Sequence, residues 1–219
     1  RFVLTNAAAS SETAGTISGG NFASDKEMTI QNGGVIKGGT YSSREKLHLH
    51  NEGELTESAL EAKEVDVTNA GSSKQNHVTA DHMKVTNSGT MVQDELVAMD
   101  AMTLTNEGAM DGIMGTVSRV DGTMDILNDG GAIHNSHFTA GGDLSYRDNS
   151  GVNPMRTAEL AATILESKNG NVTMGMDKEG NPKGLSGTVS GVNISAGKDA
   201  RIISHNDVSV KEVDAKENV

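Results

Sequence analysis

The residues with the most obvious capacity for chemistry are histidines. His48 and His50 stand two apart in Leu47-His48-Leu49-His50, and on a strand that spacing puts both imidazoles on one face while the leucines point the other way. Asp66 falls one repeat later, where it would stack on His48 at strand spacing. Two imidazoles and a carboxylate form a donor set for a transition metal, so His48, His50 and Asp66 are the metal candidates. The competing reading is an ordinary solvated strand face. His134, Asn135 and His137 raise the same two readings.

Carbohydrate cleavage needs two carboxylates about 5–10 Å apart, and Asp94, Glu95 and Asp111 could stack in such a column. With no Trp and only two Tyr in the chain, no aromatic sugar platform is in view. No Ser, His and Asp ordering suggests a nucleophilic triad. Asp129-Gly130-Gly131 lacks dinucleotide-binding spacing, and no Gly-Gly-x-Gly-x-Asp repeat suggests calcium-binding coils. Asn171-Val172-Thr173 and Asn193-Ile194-Ser195 match the glycosylation sequon, a three-residue pattern too short to carry weight alone. The expectation is a chain with no catalytic residues, no cofactor and no enzymatic activity.

What must position these residues is a repeat. Runs with apolar residues at alternate positions end in Asn6, Asn32, Asn51, Asn69, Asn87, Asn106 and Asn128, and a degraded copy ends in Asp148. Successive steps are 26, 19, 18, 18, 19, 22 and 20 residues. The positions four and two before the terminal residue are apolar in every copy, which is strand alternation with one face inward. Gly34, Gly53, Gly71, Gly89, Gly108 and Gly130 each follow the Asn by two residues. A Gly fixed there implies positive φ or a close backbone approach. Tyr41, Leu60, Val78 and Leu96 repeat nine residues after the Asn, and Ser43, Ala62, Ala80 and Ala98 two further on. Phe138 and Ala140 join them after a slip of one. Each repeat therefore holds three short strands separated by corners.

Such a unit cannot bury its apolar face alone, so the coils must stack. The expected fold is all-β: a right-handed, three-sided parallel β-helix of roughly 20 residues per coil. It carries loop insertions and leaves room for one short helix. Asn32, Asn51, Asn69, Asn87, Asn106 and Asn128 should form an inward ladder bonded amide to amide. Thr68, Thr86 and Thr105 should form an outward column of strand-forming residues.

Composition agrees. Aromatics are 2% of the chain, Cys is absent and the formal net charge is −12. A narrow interior of Val, Ile, Leu, Met and Ala has little room for rings. The acidic balance lacks the basic stripe that nucleic acid requires and would be repelled by anionic membranes, and no apolar run is long enough to span a bilayer. The chain opens in a strand-like run, without a signal peptide, and reads as an internal piece of something longer.

The organisation expected is regular coils over 1–148, an irregular insertion or atypical coils over 149–188, and further coils with a fraying charged tail over 189–219. Breaks fall at 7–27, 111–123 and 148–188. Asn153-Pro154 would suit a helix start opening Met155 to Ser167, with Ala158, Ala161, Ala162 and Leu165 on one side. Another coil through Leu160, Thr163-Ile164-Leu165 and Val172-Thr173-Met174 fits equally well.

Alternating apolar residues, then Asn-x-Gly, then apolar-x-Ala resembles the haemagglutinin repeat of filamentous-haemagglutinin-like exoproteins over residues 28 to 148. The match is looser in the C-terminal coils, in Gly191-Val192-Asn193-Ile194-Ser195-Ala196-Gly197-Lys198-Asp199-Ala200. The resemblance implies a protein of the two-partner secretion pathway, exported unfolded through an outer-membrane transporter partner to the surface of a Gram-negative bacterium. There it would serve adhesion and virulence. No Asn-Pro-Asn-Gly-type secretion signature appears, which implies shaft and not secretion domain. The function this suggests is a non-enzymatic rod segment of an adhesin that meets a host or bacterial receptor or glycan. The alternatives are the receptor-binding segment of a contact-dependent inhibition protein and a polysaccharide-processing β-helix enzyme.

Overall fold

A computed structural model describes residues 1–7, 14–149 and 157–218. The chain is an all-β parallel solenoid of about ten turns, with about 19 residues per turn. Each turn contributes one strand to each of three faces. The Asn face holds Phe2–Asn6, Glu27–Asn32 and Lys46–Asn51 and continues to Ala200–Ile202. The second face starts at Thr16–Ser18 and Val35–Lys37, and the third at Asn21–Ser24 and Thr40–Ser43. In Ala59–Asn69, His77–Asn87 and Glu95–Asn106 the third and Asn faces join into one bent strand.

Register explains why the repeat is so regular. Asn6 pairs with Asn32, Asn32 with Asn51, and so on to Asn106 with Asn128, always in parallel. Like therefore stacks on like, and a slip of one residue would turn every apolar side chain outward. Met28, Leu47, Val65, Met83, Met102, Met124 and Leu144 form one buried column, and Ile30, Leu49, Val67, Val85, Leu104, Ile126 and Tyr146 form the next. Each Val or Leu so buried contributes about 1.5–3 kcal/mol. Local compensation keeps the bore full: Gly115 takes the ring position of the third face beneath Phe138, and a Cβ there would lie 2.6 Å from the Phe138 ring. At the other end Phe22 stacks on Tyr41 with ring centroids 5.2 Å apart.

Two corners are built differently. At the first, the glycines two residues after the Asn have no positive φ through Gly108; they are required by close approach. A Cβ on Gly71 would overlap the carbonyl oxygen of Gly53 and sit 2.6 Å from the carbonyl carbon of Glu52. Gly130 departs from this, with φ +76°, because an extra residue shifts the stacked place to Gly131. At the second corner, nine turns carry a left-handed residue: Gly19, Gly38, Glu57, Gln75, Gln93, Gly112, Asn135, Ala162 and Gly191, with φ between +48° and +67°.

No helix occurs among the described residues. Of the two readings of Met155 to Ser167, the coil is the correct one over the described residues 157–167. Glu159–Ala161, Ile164–Ser167 and Val172–Met174 are strands in register with the turn below. Ala161 and Ala162 lie at the corner instead of facing a helix partner; Asn153-Pro154 falls outside the described residues. Of the break at 7–27, Thr16–Ser18 and Asn21–Ser24 are regular strands, and residues 8–13 lie outside the described residues. The break at 111–123 reduces to the loop Ser118 to Gly122. In 148–188 a regular turn is followed by the excursion Gly175 to Gly187, which holds an antiparallel bridge between Met176 and Pro182. The last strand, Val208–Ala215, runs into the charged tail and pairs with Thr188–Ala196.

Candidate functional site

The ladder is the most continuous side-chain feature of the structure. Asn6, Asn32, Asn51, Asn69, Asn87 and Asn106 each donate Nδ2 to the Oδ1 of the next Asn at 2.7–3.0 Å. Each Nδ2 also donates to a carbonyl in the turn above, such as Ala109 O from Asn87 at 3.1 Å. Asn6 extends the expected set by one. The ladder ends where Asn128 donates to the Tyr146 phenol oxygen at 3.2 Å, a group whose pKa burial pushes up. Asp148, in register with Asn128, instead accepts from the Ser186 and Gly187 amides. The ladder asparagines are buried, and each side-chain amide up to Asn106 donates both to the next Asn and to a backbone carbonyl, as buried polar groups require.

A second polar column went unseen in the sequence. Ser58 N donates to Asn76 Oδ1 at 2.9 Å and Asn76 N to Asp94 Oδ1 at 2.8 Å. Asn76 Nδ2 also reaches Asp94 Oδ1 and Ser73 Oγ, both at 3.0 Å. Ile113 stacks next, and Asp94 Oδ2 has no hydrogen-bond partner. Desolvation therefore raises the Asp94 pKa, against the lowering effect of its hydrogen bonds. A raised folded pKa favours the protonated form, so this contribution to stability is full below the ordinary Asp pKa and is lost as pH rises through the folded value. Asp94→Asn is expected to remove that loss. In urea titrations the mutant should gain on the parent chain as pH rises above the ordinary Asp pKa. Parallel curves for the two proteins would show that the buried acid does not titrate in this range.

The histidines separate by face. His48 and Asp66 stack as expected, with Nδ1 3.9 Å from Oδ2, but His50 turns to Glu52 at 3.1 Å. Among the described residues no three His, Cys, Asp or Glu side chains group closely enough to hold a metal ion. His134 and His137 reach upward to Glu159 and Glu166, while Asn135 reaches down to Asp111. Asp94, Glu95 and Asp111 do not converge: Asp94 is buried, Glu95 pairs with His77 on the third face, and Asp111 is exposed on the second. Two connected Thr-His-Glu trios appear among the described residues: Thr139, His137 and Glu166 at 3.2–3.4 Å, and a tighter one around His77. Thr79 Oγ1 meets His77 Nε2 at 3.0 Å and His77 Nδ1 meets Glu95 Oε2 at 2.9 Å. The surrounding backbone amides are engaged in the parallel ladder on both sides, so none is aimed at an oxyanion beside Thr79.

Two concavities among the described residues bear on binding. A cleft of about 520 Å³ lies beneath the Gly175 to Gly187 excursion, among Arg147, Asp148, Asp177, Lys183 and His205, and borders Asn149, beyond which the chain leaves the described residues. Arg147 forks onto Asp125 and Asp177 accepts from the Asn181 amide, which lowers its pKa. A shallow groove of about 840 Å³ runs along the axis where the third face turns into the Asn face. Comparison with protein-family models, with curated proteins and with solved structures finds no match.

Proposed function

We propose that the chain is a non-enzymatic rod segment of a large secreted bacterial adhesin of the filamentous-haemagglutinin type, delivered to the cell surface through an outer-membrane partner. The observation that carries this reading is the unbroken column of amides running through seven turns. Such a column fixes each turn to the next along one axis, which is what a spacer needs. The scarcity of converging acids and the absence of cysteine fit the same role. Contacts with a host or bacterial receptor would fall to the excursions, since loops on a regular scaffold usually carry binding.

The test is a cell-surface and glycan binding screen of the chain beside a variant whose residues 148–188 are replaced by a regular turn. Polysaccharide digestion is followed in parallel. Binding by the parent chain without release of products is expected. Reducing sugar released by the chain, and lost with a carboxylate change, would overturn the non-enzymatic reading.

A further inference from the structure

The groove between the third and Asn faces follows a row of small residues. Five consecutive turns place one just before the bend: Ser24, Ser43, Ala62, Ala80 and Ala98. The next turn carries Val117 at that position, and the loop after it closes the groove. Arg119 N bonds Met99 O at 2.9 Å, and the Arg119 side chain holds Asp100 and Asp121. At this closed end Met99 and Val120 are 54% and 70% exposed, unusual for apolar side chains in this molecule.

Each turn also presents the groove with one floor residue and one wall residue. The floor runs Ala23, Ser42, Glu61, Thr79, Val97, and the wall runs Asp25, Arg44, Lys63, Asp81, Met99. The groove thus offers equivalent positions at the coil rise of about 4.8 Å, over about 20 Å. A polymer lying in it is held best if its own repeat keeps that step. A linear glycan advances by one sugar over nearly the same distance. An extended peptide advances about 3.3 Å per residue and falls out of step. Charge selects further: the wall has two acids and two bases, and the chain as a whole carries −12, which repels polyanions. Hydroxyls at Ser42 and Thr79, acceptors at Glu61 and Asp81 and donors at Arg44 and Lys63 match sugar hydroxyls, which both give and accept.

We propose that this groove binds a linear, uncharged polysaccharide laid along the rod axis, about one sugar per turn. The inference rests on the adhesive reading and assigns it a place and a ligand class.

The experiment uses the whole chain and neutral oligosaccharides of graded length, from disaccharide to hexasaccharide, in the cello-, xylo- and chito- series. Because the sequence has no cysteine, Val97→Cys can be coupled to a bulky maleimide that fills the groove from its outer side. Thr86→Cys, on the outward Asn face, is the labelled control, and far-UV spectra confirm that both remain folded. Affinity in at least one series is expected to rise with length up to about five sugars and then level off. Labelled Val97→Cys should bind at least tenfold more weakly than unlabelled, with labelled Thr86→Cys unchanged. No binding in any series, or binding indifferent to the Val97 label, would overturn the proposal. Cell binding that survives the Val97 label would leave the adhesive reading standing while removing the groove from it; a chain that binds neither cells nor glycans removes both.

Discussion

Gly89→Ala is expected to abolish cooperative folding of the central turns. A Cβ at that position would overlap the carbonyl oxygen of Gly71 and lie 2.6 Å from the carbonyl carbon of Ala70. Both obstacles are backbone of the turn below, so no side-chain rotation relieves them. The only escape is to pry adjacent turns apart, which breaks hydrogen bonds on the faces beside the corner and opens the core. A cost of about 4 kcal/mol or more follows, in the range reserved for single changes with a specific structural cause. Gly38→Ala is the matched control. Gly38 has φ +67° but its nearest neighbour to a Cβ is Glu57 O at 3.9 Å. Only the left-handed penalty of about 1–2 kcal/mol applies there, as Glu57 and Gln75 already tolerate it in the next turns. Urea unfolding of both variants checks this; equal effects would mean that the first corner is looser than described.

The second large effect is at the middle of the ladder. Asn87 accepts from Asn69 at 2.8 Å and donates to Asn106 Oδ1 at 2.9 Å and to Ala109 O at 3.1 Å. Asn87→Ala leaves the buried Asn106 oxygen short of a donor and the Asn69 amide short of an acceptor, and removes a bond to the Ala109 carbonyl. Each unpaired buried group costs about 1–3 kcal/mol, so a loss of about 2–4 kcal/mol is expected. Asn87→Asp should be worse, because it places an uncompensated carboxylate against the Asn106 oxygen. Asn6→Ala, with one ladder neighbour and 6% exposure, should cost least. Stability in a solenoid is close to a sum of turn and interface contributions. A weakened interface at Asn87 should therefore split unfolding into two transitions by calorimetry, whereas a single unshifted transition would show that the amides contribute little.

What could be read in the sequence was whatever repeats by residue type. Alternation at Met28 and Ile30 or Val65 and Val67 named the inward faces, and the recurring Asn named the ladder. What could not be read depends on shape shared by unlike residues. The left-handed corner is Gly in Gly19, Gly38, Gly112 and Gly191 but Glu, Gln, Asn or Ala elsewhere, so no single letter marks it. The column from Ser58 through Asn76 to Asp94 changes identity at every step, and only the fold shows that one position is repeating. Gly130 followed the letter pattern and still left the stacked place to Gly131, because an inserted residue is invisible until register is known. The histidines show the same limit: period two placed His48 and His50 on one face, yet local geometry sent His50 to Glu52. The groove is a property of five turns at once and has no signature within any of them.

The measurement that tests the account most directly is excision of whole turns. Deleting residues 52–106 joins Asn51 to Glu107-Gly108, which restores the Asn-Glu-Gly corner and sets Asn51 beneath Asn128. A rod of like turns predicts a folded, cooperative protein that is shorter by three coil rises, about 14 Å, in small-angle scattering. Deleting 52–96 instead removes a fractional number of turns and should give no folded product. If the 52–106 deletion fails to fold, or keeps its original length, the turns are not interchangeable units and the stacked-rod description is wrong.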